Sequence, residues 1–387
     1  MTTHVFIVDD NTFKYHLEYM FAGTGAKKNV VDFNNSKTSR LHHSTEAGLV
    51  AMMADGCRVR KNDLIIFYLQ ATKKHEGMFF GVFQAVDDEI FLDNFDNNNQ
   101  FLYKELKKSL TFRLKIHPYE VYAKGVTEWS ALDEIKHICS PYQMLWSLIY
   151  RKLKGNRGNT MITIYESERL IDLIRRNNGN SCIVFDTQKQ GLTYDNSSNL
   201  IVATDDIVQY IGRTDIINIL PRLIAKYNSN KAHEVHLQMY ITQNLGLGTN
   251  KSLDNALGIE DKKIEWLGNE VSCGVGMQRI DIMFSIEEST TKRILFPIEL
   301  KAVSAHADNI RQLTRYIDWI EQYYIPNRIS TIQPVLICKK GKALSNVLKS
   351  KFNLFNSEIQ KNGILPLKYI EYEVCDNNLI FNAVEYC

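Results

Sequence analysis

GMQRIDIMFSIEESTTKRILFPIELKAVSAHADNIRQLTRY, residues 276–316, holds two apolar runs around a polar break. The first follows Arg279-Ile280-Asp281 and alternates through Ile282, Phe284 and Ile286; the second closes on Ile298-Glu299-Leu300-Lys301. Period-two runs on both sides of a polar turn predict a β-hairpin. A turn centred on residue 290 sets Asp281, nine before it, opposite Glu299, nine after, with facing side chains about 5 Å apart. Glu299 and Lys301, two apart, share that face. The hairpin is expected to gather two carboxylates and an ammonium at one point.

Two carboxylates so close repel unless a cation sits between them. Magnesium is the hard cation suited to carboxylate and phosphate oxygens, and manganese is expected to substitute for it. A metal so held can polarise a phosphodiester, and Lys301 can steady an attacking water or the developing charge. The acid-x-base triplet alone is no signal, because 44 acidic and 46 basic residues in 387 produce about five by chance. Weight comes from its context. Glu299 and Lys301 end the very apolar ILFPIEL, where unpaired charge is costly, and the register supplies a facing acid. The segment from His306 to Tyr324 reads as a helix that places Gln312 and Tyr316 on one face.

Asp281, Glu299-x-Lys301 and Gln312-x-x-x-Tyr316 resemble the motifs of the PD-(D/E)XK nuclease superfamily, the last in its RecB-type form. GMQRIDIMF, FPIELKA and RQLTRYIDWI are most similar to archaeal mismatch-cleaving endonucleases and related restriction enzymes. The resemblance spans roughly residues 232–339. It implies a restriction-endonuclease-like α/β domain with a further glutamate from an upstream helix, and Glu234 in AHEVHLQMYITQNL takes that place. The metal set so implied is Asp281, Glu299 and Glu234, with Gln312 and Tyr316 bracing the site or touching the DNA backbone.

Composition bounds the rest. At 387 residues, 44% hydrophobic and 23% charged, the chain is long enough for two or three ordinary globular domains. A net charge of +2 does not mark a polyanion binder, so any nucleic-acid surface must come from local clustering. Seven scattered cysteines without a C-x-x-C argue against a disulfide framework or structural zinc site and for a reducing cytoplasm. Met1-Thr-Thr-His runs directly into strand-like HVFIV with no leader pattern, and no apolar run approaches a membrane span. A cytoplasmic protein without membrane contact is expected.

The first half reads as strands. After residues 4–8 and a short helix over 47–54, turns at Asn62-Asp63 and Lys73–Gly77 bracket LIIFYLQ (64–70) and MFFGVFQAV (78–86). Strands at 89–93 and 110–118 surround an Asn/Asp-rich loop. Ser140-Pro141 starts a helix ending near Gly155. Arg151 and Lys152 in its last turn and Arg157 beyond it are either cations suited to a helix C-terminus or a phosphate-contacting patch. This pattern resembles the PUA superfamily, in particular EVE- and YTH-like domains, which implies a mostly β barrel that grips RNA or a base lifted from its strand. Tyr68, Trp129 and Trp146 have the right type to stack on such a base, and each is also an ordinary core residue by type.

MITIYESERLIDLIRR suggests a strand and a helix, and GLTY with NLIVA a small sheet. Residues 205–227 read as a helix interrupted by Pro221. His233 and His236 flank Glu234 without a further ligand set at zinc spacing. PVLICKK (334–340) is expected to be a buried strand. The domains expected are a β-rich, PUA-like reading domain over 1–171, a connector over 172–228 and an α/β nuclease domain over 229–387. The function expected is a magnesium-dependent endonuclease of type II restriction type. It would cut double-stranded DNA as a homodimer, at a target that the first domain chooses and that can include a modified base. The alternatives are a repair endonuclease for mismatched or branched DNA, a nucleic-acid reader whose nuclease fold is inert, and a first domain that serves protein contacts alone.

Overall fold

The computed structural model describes residues 1–25, 43–93, 100–143, 158–185, 190–273, 278–289, 292–324, 329–359 and 363–386. The chain forms two compact units, the first made of 1–32, 55–139 and 143–217, the second of 33–54, 140–142 and 218–387. This division differs from the expected one. Residues 172–217 fold into the first unit, and no separate connector exists among the described residues.

The first unit contains β1 (Thr3–Val8), α1 (Phe13–Glu18), β2 (Phe21–Thr24), β3 (Leu64–Leu69), β4 (Met78–Ala85) and β5 (Phe91–Leu92). It continues with α3 (Tyr103–Leu106), β6 (Phe112–Pro118), β7 (Glu120–Val121), β8 (Val126–Thr127), α4 (Glu128–Asp133), β9 (Asn159–Ile162) and α5 (Ile164–Asn177). β10 (Val184–Phe185), β11 (Gly191–Asp195), β12 (Leu200–Thr204) and β13 (Asp215–Ile216) complete it. Helix α2 (His43–Cys57) belongs to the second unit as far as Ala54. The main sheet runs β13-β5-β6-β4-β3-β1-β9, with β2 on β6 and β8 on β4. β6 bends it. Phe112 to Lys115 pair with β2, while Ile116 to Pro118 pair with β4, and the sheet curls into a half-barrel.

β1 and β3 are parallel neighbours, and the turn before β3 explains how they lock. Asp63 accepts the N–H groups of Thr2 and Arg60 at 2.9 Å each and lies 3.0 Å from Nε2 of buried His4. Burial lowers the His4 pKa. Thr163 and Glu166 form a capping box that starts α5, as the sequence TIYE allows. The expected helix over 205–227 is not formed. Only Leu220 to Asn228 is helical, with Pro221 in its first turn, the position where a missing N–H costs nothing. Ile207, Val208 and Ile211 are solvent-exposed, so the apolar residues there have no core face to drive a helix. Most of the helix expected after Pro141, including Trp146, lies outside the described residues.

The second unit adds α6 (Leu220–Asn228), α7 (Glu234–Asn244), α8 (Lys251–Leu257), β14 (Ile264–Ser272), β15 (Arg279–Ser289) and β16 (Lys292–Lys301). α9 (Asp308–Tyr323), β17 (Ile329–Ile332), β18 (Val335–Lys339), α10 (Asn346–Ile359), β19 (Lys368–Cys375) and β20 (Asn378–Ala383) follow. Its mixed sheet has the order β14-β15-β16-β18-β19-β20, with β17 also on β16. β16, β18 and β19 are parallel, joined by α9 and α10, and the flanking pairs are antiparallel. The β15–β16 register is the expected one: Ile282 pairs Ile298, Phe284 pairs Phe296, and Ile286 pairs Ile294.

Pro297 lies mid-strand in this central ribbon, where a proline normally breaks a ladder. β17 pairs β16 only from Lys292 to Leu295, and β18 pairs it only from Ile298 to Lys301. Pro297 falls in the gap between those two ladders, so its absent N–H removes no rung. Inside the sheet, Phe284 and Phe296 stack with ring centroids 4.4 Å apart.

Candidate functional site

β15 and β16 carry the first three residues of the site. Continuing the register one rung beyond Ile282 and Ile298 sets Asp281 opposite Glu299. Glu299 is 1% exposed and Lys301, two residues on, is partly buried. Lys301 Nζ lies 2.5 Å from Glu299 Oε1, and the Tyr316 hydroxyl lies 2.6 Å from Glu299 Oε2 and 2.8 Å from the Arg279 carbonyl. Both oxygens of Glu299 are therefore occupied by a cation and a hydroxyl. Asp281 Oδ2 accepts the Leu300 N–H at 2.8 Å.

Tyr316 reaches Glu299 because α9 packs its apolar face, including Leu313, Ile317 and Ile320, on the sheet beside β16. Gln312, one turn earlier, is partly buried and makes no hydrogen bond to either carboxylate. Glu234 opens α7, as the upstream glutamate was expected to do. Its Oε2 lies 3.9 Å from Lys301 Nζ, and its side chain is 44% exposed. Gln238, one turn along the same helix, donates to the Asp281 carbonyl at 2.7 Å. That residue was missed, although the four-residue spacing from Glu234 on one helix face is a signal that points to it.

The electrostatics follow from burial and crowding of like charge. Burial and the neighbouring Glu299 raise the Asp281 pKa well above the usual carboxylate range, against the Leu300 N–H that lowers it. Burial also raises Glu234, with Glu299 adding to it and Lys301 opposing. Burial alone would lower Lys301, but Glu299, Glu234 and Asp281 together hold it above the ordinary lysine value. Burial and Glu299 push the Tyr316 hydroxyl far up, so it stays a donor.

The fit to a divalent cation can be judged on these groups. A facing pair of carboxylates is a hard-donor set whose repulsion a cation would relieve. Among the described residues no group of three or more His, Cys, Asp or Glu side chains is placed to hold a metal ion. As it stands, the arrangement is Asp281 and Glu299 in one rung, with Glu234 joined to them through Lys301.

Behind the site, the second unit carries a buried ion cluster. Glu46 of α2 is bidentate with Arg222 at 2.7 and 2.8 Å, pairs with Lys226 at 3.3 Å, and lies 2.8 Å from His236 Nε2. These partners hold the Glu46 carboxyl far below its ordinary pKa despite burial. His233 and His236 thus have hydrogen-bonding roles, His233 with the Lys231 carbonyl and the Tyr372 hydroxyl, each at 2.8 Å.

In the first unit, Tyr68 does not serve as a stacking face. It is 2% exposed, its ring lies 5.0 Å from that of Phe79, and its hydroxyl donates to Glu128 at 2.8 Å. Trp129 is 61% exposed on α4. Thr127 and Ser130 on either side of it line an open cavity of about 570 Å³, together with Lys124, Arg176, Asn177 and Asn199. Arg151, Lys152 and Arg157 lie outside the described residues. No helix among the described residues is long and apolar enough to cross a membrane.

No family model matches the chain, and no curated protein matches it. Among solved structures, the human THYN1 protein in complex with 5-methylcytosine-containing DNA aligns with 45% of this chain and 97% of its own length. The alignment has 10% identity and a TM-score of 0.26.

Proposed function

We propose that the chain is a divalent-metal-dependent endonuclease that hydrolyses phosphodiesters of double-stranded DNA, the second unit cutting and the first choosing the target. The observation that supports this reading is the single rung of β15 and β16 that sets Asp281 against Glu299, with Lys301 and Tyr316 closing around Glu299. A purely structural ion pair needs one acid and one base. Here a second acid is kept beside the pair at a cost in burial and repulsion, which is the expense expected of a functional site.

Asp281 and Glu299 would hold magnesium or manganese, with Glu234 assisting. Once bound, that ion would supply Lewis-acid polarisation of the phosphodiester. The chain's own residues do the rest. Lys301, a cation at neutral pH, orients a water toward phosphorus or stabilises charge developing on the phosphoryl oxygens. Tyr316 fixes the Glu299 carboxylate through its hydroxyl, and Gln238 holds the Asp281 backbone, so the two acids keep their separation. Gln312, unengaged by either acid, is available to the DNA backbone.

A homodimer would present two such sites to the two strands. Selection of a modified base by the first unit is the finer form of the proposal, with Trp129, exposed on α4, as the ring able to stack on it. The test is cleavage of supercoiled and linear DNA, unmodified and modified, with magnesium, manganese or chelator. Nicking that requires the metal and disappears in Asp281→Asn supports the reading. Metal-independent nicking, or none on any substrate, refutes it.

A further inference from the structure

Tyr372 lies in β19, two strands from β16, with none of its surface exposed. Its hydroxyl oxygen is 2.8 Å from His233 Nε2 and 3.5 Å from the Lys301 carbonyl. The direction of the first bond follows from the other side of the ring. His233 Nδ1 lies 2.8 Å from the Lys231 carbonyl, which can only accept, so Nδ1 carries the proton. In the neutral imidazole Nε2 is then an acceptor, and the Tyr372 O–H donates to it. Buried His233 immediately precedes Glu234 at the start of α7, with no side-chain cap of its own. The Tyr372 proton thus goes to the residue that launches Glu234, and the Lys301 carbonyl, which can only accept, is a neighbour in van der Waals contact and not a bonded partner.

Glu234 is half-exposed and, among the described residues, meets the site through Lys301 Nζ at 3.9 Å and the Ala302 N–H. Its placement therefore depends on where α7 begins relative to the sheet, and the bond from Tyr372 to His233 ties that start to β19. The ring itself is held independently, with the rings of Tyr227 and Phe381 each 6.1 Å away. Removing the hydroxyl alone leaves that packing in place.

We propose that Tyr372 is a positioning residue of the carboxylate site, setting Glu234 relative to Lys301 and thereby the affinity of the site for a divalent cation. This rests on the metal-dependent reading above. The experiment compares the full-length protein with Tyr372→Phe and with Tyr386→Phe, which loses another buried hydroxyl bond, 2.5 Å to the Leu367 carbonyl. Manganese binding is measured by calorimetry, unfolding by thermal melt, and DNA nicking across a magnesium titration. Tyr372→Phe is expected to bind manganese about 10-fold more weakly, in line with groups that orient metal ligands. It should shift the magnesium midpoint of nicking upward in parallel while keeping most of the rate at saturating magnesium. Tyr386→Phe should leave manganese affinity and the midpoint unchanged. Unchanged manganese affinity in Tyr372→Phe, or an equal loss in both variants, overturns the positioning role while leaving the nuclease reading intact. A parent protein that neither binds manganese nor nicks DNA overturns both.

Discussion

Burial and Glu299 both oppose a charge on Asp281. Its pKa is raised in the folded chain, so between the ordinary carboxylate value and the raised one the folded state holds more protons than the unfolded state. Stability contributed there falls as pH rises, because ionising Asp281 is harder in the folded chain than in the unfolded one. Asp281→Asn keeps an oxygen for the Leu300 N–H and removes that charge. It should melt about 2–4 °C higher than the parent at pH 7.5, the shift expected for about 1 kcal/mol in a unit of this size. The gain should shrink as pH is lowered through the raised pKa, and calcium should stabilise the parent but not the variant. A variant less stable than the parent at pH 7.5 would contradict the account. Lys301→Met keeps the stem and removes the ammonium. It should lower the nicking rate by at least about 100-fold, and it should also lower stability because Glu299, 1% exposed, loses its cation. A double variant with Glu299→Gln should recover the melt but not the rate.

The hairpin, the helices around it and their joints belong to the scale of elements. Period-two alternation and a polar break were enough to place β15 against β16 in the observed register, since both signals lie within one short stretch. Pro297 could not be understood that way, because the gap it occupies exists only once β17 and β18 divide β16 between them. The stretch before Pro221 shows the reverse failure: Ile207, Val208 and Ile211 are exposed, while Ile217 and Ile219 are buried, so no single helical face is covered and helix begins only at Leu220. Thr163→Ala removes the cap of α5 and should cost about 1 kcal/mol, read as a lower melting temperature or denaturation midpoint. Glu46→Gln leaves Arg222, Lys226 and His236 without their shared anion and should cost about 3 kcal/mol. A loss under about 1 kcal/mol would show that the cluster's desolvation cancels its attraction.

Across the whole molecule, the proposed function gives choosing and cutting to different units, so variants should separate them. Trp129→Ala should weaken binding to target DNA in calcium by about 5-fold or more, the loss of one stacked base, while nicking at saturating DNA keeps its magnesium midpoint. Equal affinity would move target choice away from that ring. The unit boundary itself was not legible: the sequence reading ended the first domain at 171, inside α5, whereas residues through 217 return to that unit. Loop composition marks where a chain can turn, not which core its next segment joins.

The local order of residues by itself determined the hairpin, the facing of Asp281 and Glu299 and the nearness of Lys301, because strand pairing across a short turn is set by alternation together with the position of the turn. Tyr316 and Glu234 could be nominated from spacing along their helices, but only the folded sheet brought them to Glu299 and Lys301. The burial of Tyr68, the use of Gln238, the Glu46 cluster and the bond from Tyr372 to His233 were decided by tertiary structure. Tyr372 and His233 stand 139 positions apart, and Glu46 and His236 stand 190 apart. No periodic signal spans such distances; contacts of that kind arise when helices and strands close over a shared core, and only then do side chains acquire their partners.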